Sequence, residues 1–271
     1  MGIGNPIDFT GRAVIVTGGT KGIGAVIAEA FLAAGADVLV CGRGHAPEPP
    51  GSGTRRAHFR PADVRDPAAA TALVDAAMER FGRLDVLVNN AGGSPDADAA
   101  TVSPRFVEKI VALNLLAPFY VSQAANRVMR EQDTGGSIVN IGSVSAHTPQ
   151  PGTAAYTAAK AGLLALTRAL ALEWAPKVRV NHITTGLVRT ESAASVYGED
   201  GGAALAGVIP MRRMATPDDV AGACLYLAGD LAPYVNGADL AVHGGGEVPA
   251  RFLATPRGAS TEADHPPFSS P

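Results

Sequence analysis

The sequence predicts an α/β protein with a doubly wound parallel sheet, folded as a single domain in three layers of helix, sheet and helix. Apolar runs rich in Val and Ile alternate with Ala- and Leu-rich stretches of helical period along most of the chain. A glycine-rich turn separates the first apolar run from the first helical stretch. With 271 residues, 46% of them hydrophobic, one domain can bury a substantial core.

The regular elements follow from this alternation. Strands are expected at Ala13–Thr17, Val38–Cys41, Val86–Asn89, Ser137–Ile141, Val178–Ile183 and Leu240–Val242. Helices are expected at Ile23–Ala34, Pro67–Phe81, Ala154–Trp174 and Pro217–Leu227. Pro67 and Pro217 suit a first helical turn, and Asp66 and Thr216 are expected to cap the two helices that these prolines begin.

Three segments interrupt the alternation. Gly44–Gly53 is rich in Pro and Gly and is expected to be a surface loop. The region of about residues 185–207 is irregular, and we interpret it as a lid. Polar residues and prolines dominate residues 249–271, so the chain divides into a domain over residues 1–248 and a C-terminal tail.

Composition excludes several classes of function. The formal net charge of −3 does not favour binding to nucleic acid or to an anionic membrane, so the expected partner is a small molecule. The two cysteines, Cys41 and Cys224, cannot form a disulfide framework, and no metal site is expected at either. The first residues lack a basic flank and an apolar secretion core, and no stretch predicts a membrane span, which favours the cytoplasm.

The turn after the first strand predicts a Rossmann-type dinucleotide site. Glycines there permit a tight turn and let backbone N–H groups approach a pyrophosphate at the positive end of a helix. A glycine-rich turn alone is weak evidence, but here a strand precedes it and a helix follows. The candidate cofactor residues in it are Gly18, Thr20, Lys21, Gly22, Ile23 and Gly24.

The second strand indicates which nicotinamide cofactor is preferred. A site selective for NAD places an acid at the end of this strand, whereas here the strand ends Val40-Cys41-Gly42-Arg43. Arg43 and Lys21 are both able to pair with a 2′-phosphate. NADP(H) is therefore favoured and NAD(H) remains the alternative, in which both cations are simply solvated.

Tyr156 and Lys160 are spaced for acid–base chemistry. They lie four residues apart in a predicted helix, so both side chains fall on one face. A neighbouring ammonium stabilises a tyrosine phenolate and lowers its pKa toward the working range. The same spacing also occurs in ordinary surface pairs, so the interpretation depends on the rest of the chain.

From Ile7 to Gly246 the chain resembles the short-chain dehydrogenase/reductase family, with the motifs in family order. Ser143 precedes Tyr156 by thirteen residues, as the family's catalytic serine does, and Asn114 in Leu113-Asn114-Leu115 matches the catalytic asparagine. The resemblance adds cofactor contacts at Asp63, Val64, Asn90, Ala91, Gly92, Gly186, Val188 and Thr190, beside Tyr156 and Lys160.

The resemblance implies a reaction and an assembly. Hydride passes between the nicotinamide and a substrate carbon, Tyr156 gives or takes the alcohol proton, and Ser143 stabilises the carbonyl oxygen. Lys160 binds the nicotinamide ribose, and Asn114 positions Lys160 and a proton-relay water. A homotetramer or homodimer is implied, with the helix Ala154–Trp174 at a subunit interface.

One position departs from the family pattern. Thr185 stands where the family carries a proline, and we expect the loss of that ring to loosen the loop that flanks the nicotinamide. The later Gly186 and Thr190 are retained.

The expected substrate is a neutral, fairly apolar ketone or secondary alcohol. The alternatives are an NAD-dependent dehydrogenase of a hydroxyacyl thioester or a steroid-like ring alcohol, and a non-catalytic cofactor-binding regulator. His147 near Ser143 suggests a serine hydrolase, but no nucleophile elbow and no orienting Asp are evident. Arg212 and Arg213 are interpreted as a structural pair rather than as a grip on a phosphate-bearing substrate.

Overall fold

A seven-stranded, all-parallel sheet forms the centre of the molecule in a computed structural model that describes residues 7–44, 48–191 and 202–247. The strand order β5-β2-β1-β6-β7-β8-β9 reverses direction between β1 and β6. A doubly wound sheet opens a crevice at such a reversal, outside the carboxyl ends of the strands. The predicted fold class, a single three-layer α/β domain, is confirmed.

The strands of the main sheet are β1 (Ala13–Thr17), β2 (Asp37–Gly42), β5 (His58–Pro61), β6 (Val86–Asn89), β7 (Gly136–Ile141), β8 (Val178–Thr185) and β9 (Asp239–Val242). A two-stranded hairpin of β3 (Gly51–Ser52) and β4 (Arg55–Arg56) precedes β5. The expected loop Gly44–Gly53 therefore ends in a short strand. Within that loop, residues 45–47 lie outside the described residues.

The helices are α1 (Gly22–Ala33), α2 (Pro67–Phe81), α3 (Pro104–Val111), α4 (Ala117–Met129), α5 (Ala154–Trp174), α6 (Ala203–Ala206) and α7 (Pro217–Ala228). A π-helical segment, Ala112–Leu116, joins α3 to α4. None of the helices in the described ranges is long and apolar enough to span a membrane. Of the lid, residues 192–201 lie outside the described residues, as does the whole tail over residues 249–271.

Both faces of the sheet are buried, which explains the nearly continuous apolar strands. One core cluster packs α1 and α7 against the sheet, and Phe9 and Phe31 meet edge to face in it at 5.0 Å. The other cluster packs α2 and α4, with Leu73, Leu87 and Ile138 fully buried. The two helical layers hold the strand ends in fixed register.

The predicted cap at Asp66 forms, whereas the start of α7 is capped through Asp219 rather than by the Thr216 side chain alone. The Asp66 side chain accepts a hydrogen bond from the backbone N–H of Ala68 at 2.9 Å and starts α2. At the start of α7 the Asp219 carboxylate accepts from the Thr216 backbone N–H at 2.7 Å and from its hydroxyl at 3.1 Å. Arg213 also pairs with Asp219 at 2.6 Å, which supports the interpretation of Arg213 as a structural residue.

Candidate active site

The glycine turn lies at the strand reversal and is shaped by close approaches. A Cβ on Gly24 would come within 2.4 Å of the Gly18 carbonyl oxygen, and Gly18 and Gly22 both have a positive φ. Only glycine fits positions with such contacts and dihedral angles. The backbone at the start of α1 is therefore open to a bound phosphate, which is what a dinucleotide requires.

Asn90 holds this turn in place. Its side-chain amide donates to the backbone oxygens of Thr17 at 3.0 Å and of Gly18 at 3.2 Å. The Thr17 hydroxyl oxygen in turn accepts from the backbone N–H groups of Asn90 and Ala91, both at 3.0 Å. The amide of Asn90 is thus engaged with the protein, and Thr17 is a supporting residue that the motifs did not indicate.

Two cations flank the end of β2. Gly42, the last residue of β2, packs against the Thr20 side chain, since a Cβ at position 42 would lie 3.3 Å from Thr20 Oγ1. Arg43 follows Gly42 and Lys21 follows Thr20, and both side chains are exposed. The residues directly after β2, Arg43 and Gly44, include no acid.

The next pair of expected cofactor residues lies after β5. Val64 is buried, and the Asp63 carboxylate accepts hydrogen bonds from the Arg65 backbone and guanidinium. These hydrogen bonds hold the pKa of Asp63 below its ordinary value, against an opposing effect of burial. Asp63 is therefore an ionised residue with an internal partner, a contact that the sequence did not indicate.

Lys160 is the one lysine of the described chain that is buried. Its Nζ donates to the backbone oxygen of Ile141 at 2.7 Å and lies 5.6 Å from the centre of the Tyr156 ring. Burial lowers the pKa of Lys160 to about 8. The structure thus brings together the two residues that the helical spacing paired.

Asn114 lies in the π-helical segment and reaches the same place. Its amide nitrogen donates to the Ile110 oxygen at 2.9 Å and to the Gly93 oxygen at 3.0 Å, while its amide oxygen accepts from the Gly93 N–H at 2.9 Å. A Cβ on Gly92 would lie 2.9 Å from Asn114 Oδ1 and 3.4 Å from Lys160 Nζ. Gly92 therefore leaves the space between them open.

Ser143 follows β7 and begins a short 3₁₀ turn, Val144–Ala146. Its hydroxyl oxygen accepts from the backbone N–H of Ser145 at 3.1 Å, which leaves the hydroxyl proton to donate elsewhere. Tyr156 is half-buried and lines a small cavity with Ser94. Asn114, Ser143, Tyr156 and Lys160 thus all lie around the carboxyl ends of β6 and β7.

Thr185 makes a contact that the expectation of a loosened loop did not include. It is the last residue of β8, buried, and its hydroxyl donates to the backbone oxygen of Gly142 at 2.9 Å. This bond ties the end of β8 to the end of β7. Gly186 packs against His243, Val188 is buried, and Thr190 lies beside Gly22.

A second cluster of polar side chains lies at the ends of β8 and β9. Asp239 accepts from Thr184 at 2.7 Å and contacts nitrogen atoms of His182 and His147, each at 2.8 Å. Burial raises the pKa of Asp239, but these hydrogen bonds together lower it by more, so the carboxylate is ionised at neutral pH. Burial lowers the pKa of His182, which is therefore neutral.

This cluster has no simple signal in the sequence, because His147 and Asp239 are 92 residues apart. His147 lines a pocket and is hydrogen-bonded to Asp239, an orienting residue that the sequence did not indicate. However, His147 Nε2 bonds to Asp239 and Thr184, and no bond joins the ring to Ser143. A hydrolytic Ser-His-Asp arrangement is therefore absent from the described residues.

Metal chemistry finds no support in the described ranges. No group of three His, Cys, Asp or Glu side chains there is arranged to hold a metal ion. Cys41 and Cys224 are both free and buried, and burial raises the pKa of Cys41 to about 11. Neither thiol is therefore poised as a nucleophile.

Comparison with known proteins identifies the class that this fold and site define. A family model described as enoyl-(acyl carrier protein) reductase matches residues 18–247. The D-threitol dehydrogenase of Mycolicibacterium smegmatis is 39% identical over 249 residues, which cover 88% of this chain and 95% of that protein. The 3alpha-hydroxysteroid dehydrogenase of Mediterraneibacter gnavus is 36% identical, over 86% of this chain and 96% of that protein.

A solved structure supports the same class. A short-chain type dehydrogenase/reductase from Mycobacterium marinum superposes with a TM-score of 0.80 at 30% identity, covering 89% of this chain and 97% of that one. The chain belongs to the short-chain dehydrogenase/reductase family. It is an NAD(P)-dependent oxidoreductase that acts on alcohols or ketones.

Proposed function

We propose that the protein interconverts a ketone and a secondary alcohol with NADP(H), with Tyr156 as general acid and base. The observation that carries this proposal is the buried Lys160, whose ammonium lies 5.6 Å from the Tyr156 ring. A cation held there stabilises the phenolate more than the phenol and so lowers the cost of moving the proton. The bound nicotinamide supplies or accepts the hydride.

Each of the other catalytic residues has one role in the proposal. Ser143 donates its free hydroxyl proton to the carbonyl oxygen, where negative charge develops during reduction. Lys160 uses one N–H on Ile141 and keeps two for the nicotinamide ribose hydroxyls. Asn114 holds the Gly93 backbone beside Lys160, and we assign it the positioning of a proton-relay water.

The rest of the proposed cofactor site follows the strand ends. The backbone of the glycine turn would bind the pyrophosphate, and Asp63 and Val64 would contact the adenine. The nicotinamide end is held by the backbone at Ala91, Gly92, Gly186, Val188 and Thr190. Asn90 contributes by holding the turn, since its amide is bonded to the backbone.

The preference for NADP(H) rests on Arg43 and Lys21. Thr20 packs against Gly42, so Lys21 and Arg43 are chain neighbours of two residues in contact, and two cations there would suit a 2′-phosphate. NAD(H) is the alternative cofactor. The proposal also includes a cytoplasmic location, which the two unpaired thiols support, and a homotetramer or homodimer.

The proposed substrate is neutral, with an apolar portion against Val144, Leu187 and Ile209. A second candidate is a ring alcohol, which the similarity to a relative named for a steroid favours. In the proposed organisation, residues 1–248 form the catalytic domain and the region of about residues 185–207 is its lid.

The test replaces Tyr156 by Phe and measures both turnover and cofactor binding. We expect turnover of secondary alcohols and ketones to fall by about two to four orders of magnitude, because general acid–base catalysis is lost. Calorimetric titration is expected to show unchanged binding of NADPH, tighter than that of NADH. Tyr226→Phe, at a partly exposed tyrosine on α7, is the matched control. Retention of most of the rate by Tyr156→Phe would overturn the mechanism, and equal binding of NADPH and NADH would overturn the role of Arg43 and Lys21.

A further inference from the structure

A pocket of about 330 Å³ lies at the carboxyl ends of β8 and β9, next to the turn that follows Ser143. Its apolar lining comes from Val144, Leu187, Ile209 and Ala241. Its polar lining includes His147, Thr148, Gln150 and Asp239. None of the described residues that line it is Lys or Arg, so it has no fixed cation for an anionic group.

The pocket begins beside the site of the proposed reaction. Val144 directly follows Ser143, and Thr185 links β8 to Gly142, which directly precedes Ser143. The turn that Ser143 begins ends at His147. Four residues at about 2 Å each put His147 roughly 8 Å along the turn from Ser143. A substrate with its carbonyl at Ser143 can therefore extend to His147.

The hydrogen bonds around Asp239 determine which nitrogen of His147 is left for a ligand. The ionised carboxylate can only accept, so the bond at 2.8 Å requires the proton on His147 Nε2. The His182 proton is likewise on Nδ1, leaving its buried Nε2 without a partner among the described residues. Asp239 thus has three donors, and Nδ1 of His147 remains available.

The chemistry of that nitrogen selects a class of ligand. Neutral imidazole offers an acceptor at Nδ1 and imidazolium offers a donor. A hydroxyl group can pair with either form, since it both donates and accepts. An alkyl group can pair with neither, and an anion can pair only with the cation. The side chain of His147 is 45% exposed, so it can reach a ligand without displacing its carboxylate partner.

We propose that His147, oriented by Asp239, binds a second hydroxyl group of an uncharged substrate in this pocket. The inference rests on the proposed function and specifies its substrate: the reacting carbon lies at Ser143 and Tyr156, and another hydroxyl lies at His147. Gln150 and Thr148 offer further hydrogen-bonding groups along the pocket.

The experiment compares alcohols of equal carbon number that differ in hydroxyl count. Four- to six-carbon alditols and the matching 2-alkanols, 2-butanol to 2-hexanol, are oxidised by the native protein and by His147→Leu. We expect His147→Leu to lower the ratio of kcat/KM for alditol over alkanol about tenfold, through KM, because one hydrogen bond to the substrate is lost. His147→Gln, which keeps hydrogen-bonding groups, should restore part of the ratio.

Two further variants complete the test. Asp239→Asn should lower the same ratio, because one amide oxygen cannot accept from all three donors that the carboxylate holds, and His147 is less well oriented. His58→Leu, a histidine on β5 that contacts Phe81 and lies far from the pocket, should leave the ratio unchanged. The proposal would be overturned if His147→Leu left the ratio of kcat/KM for alditol over alkanol unaltered, including the case in which both values fell equally.

A binding measurement separates this inference from the proposed function. Tyr156→Phe, saturated with NADP⁺, is titrated calorimetrically with the alditols, with and without His147→Leu in the same chain. Alditol binding that requires His147 would support the pocket even if no alcohol were turned over by the native protein. Turnover of 2-alkanols with no alditol binding would overturn the pocket while leaving the proposed function intact.

Discussion

Lys160 lies in an environment that changes its ordinary chemistry. It is almost fully enclosed, and one hydrogen bond to the Ile141 carbonyl replaces its hydration. Burial of an ammonium disfavours the charged form, which is why the pKa falls to about 8 from an ordinary 10.5. An amine with such a pKa is still mostly charged at neutral pH, where it can act on Tyr156.

This burial affects the pH dependence of stability. Between pH 8 and pH 10.5 the unfolded chain binds the Lys160 proton and the folded chain does not, so the contribution of Lys160 to stability rises with pH in that window. Relative to Lys160→Met, the free energy of unfolding of the cofactor-free native protein should rise by up to about 3 kcal/mol from pH 8 to pH 10.5. Urea unfolding of both proteins at pH 8 and pH 10.5 measures this change.

Lys109→Met, at an exposed lysine of α3, is the control and should show no such trend. If the free energies of unfolding of the native protein and Lys160→Met differed by the same amount at both pH values, the lowered pKa of Lys160 would be contradicted.

Among the elements, α7 depends on a side chain for its first turn. Asp219 accepts from both the backbone and the hydroxyl of Thr216 and also pairs with Arg213. Asp219→Ala should lower the free energy of unfolding by about 1 kcal/mol at pH 7. These hydrogen bonds hold the pKa of Asp219 well below its ordinary value, so the difference should shrink as the pH falls below about 4.

Asp218→Ala is the matched control, since Asp218 lies in the same turn but makes no capping bond. Denaturant unfolding of both variants gives the comparison. If Asp219→Ala and Asp218→Ala lost the same free energy of unfolding, negative charge near the helix end, rather than the cap, would be what stabilises α7.

The elements also show how far the sequence could predict the fold. β1, β6, α2 and α5 have the predicted bounds, because each has a clear periodicity and a turn or cap at its ends. β5 was not predicted: His58–Pro61 is short, two of its residues are exposed, and proline normally argues against a strand. Its position at the sheet edge makes it possible.

The region of α3 and α4 was also not predicted. Ala112–Leu116 adopts π-helical geometry between them, which breaks the regular helical period. Asn114, inside this segment, donates to the Ile110 carbonyl that an α-helix would offer to its backbone N–H. The motif indicated the residue, whereas the helix that carries it required the structure.

The site was predictable to a similar degree. The spacing of Tyr156 and Lys160 and the glycine turn are local patterns, and the structure brings them to one edge of the sheet. The contacts of Asp239 with His147 and His182 join β9 to residues far away in the chain, so no local pattern reveals them. The hydrogen bonds between Thr17 and Asn90 likewise join residues far apart in the chain, so no local pattern reveals them.

On the scale of the whole molecule, an exposed apolar side chain on α5 bears on the proposed assembly. Leu172 is 85% exposed, although it follows the buried Leu170 and Ala171. An exposed leucine on a long helix suits a contact with a second copy of the chain. Gly162, which packs on Leu115, shows that other small residues of α5 serve the chain's own packing.

Leu172→Glu should therefore convert the proposed oligomer to a species of lower mass, measured by sedimentation equilibrium. The free monomer of 27.5 kDa is the limiting product. Because Leu172 is exposed, the far-ultraviolet circular dichroism should not change. An unchanged mass would exclude this face of α5 from the interface.

Gly142 provides the space that the buried His182 ring occupies. A Cβ at position 142 would lie 2.0 Å from the His182 ring and 2.9 Å from the Ile183 carbonyl oxygen. Any side chain at position 142 therefore requires the ring or the backbone to move. The His182–Asp239 contact thus depends on the absence of a side chain at the end of β7, two strands away from Asp239.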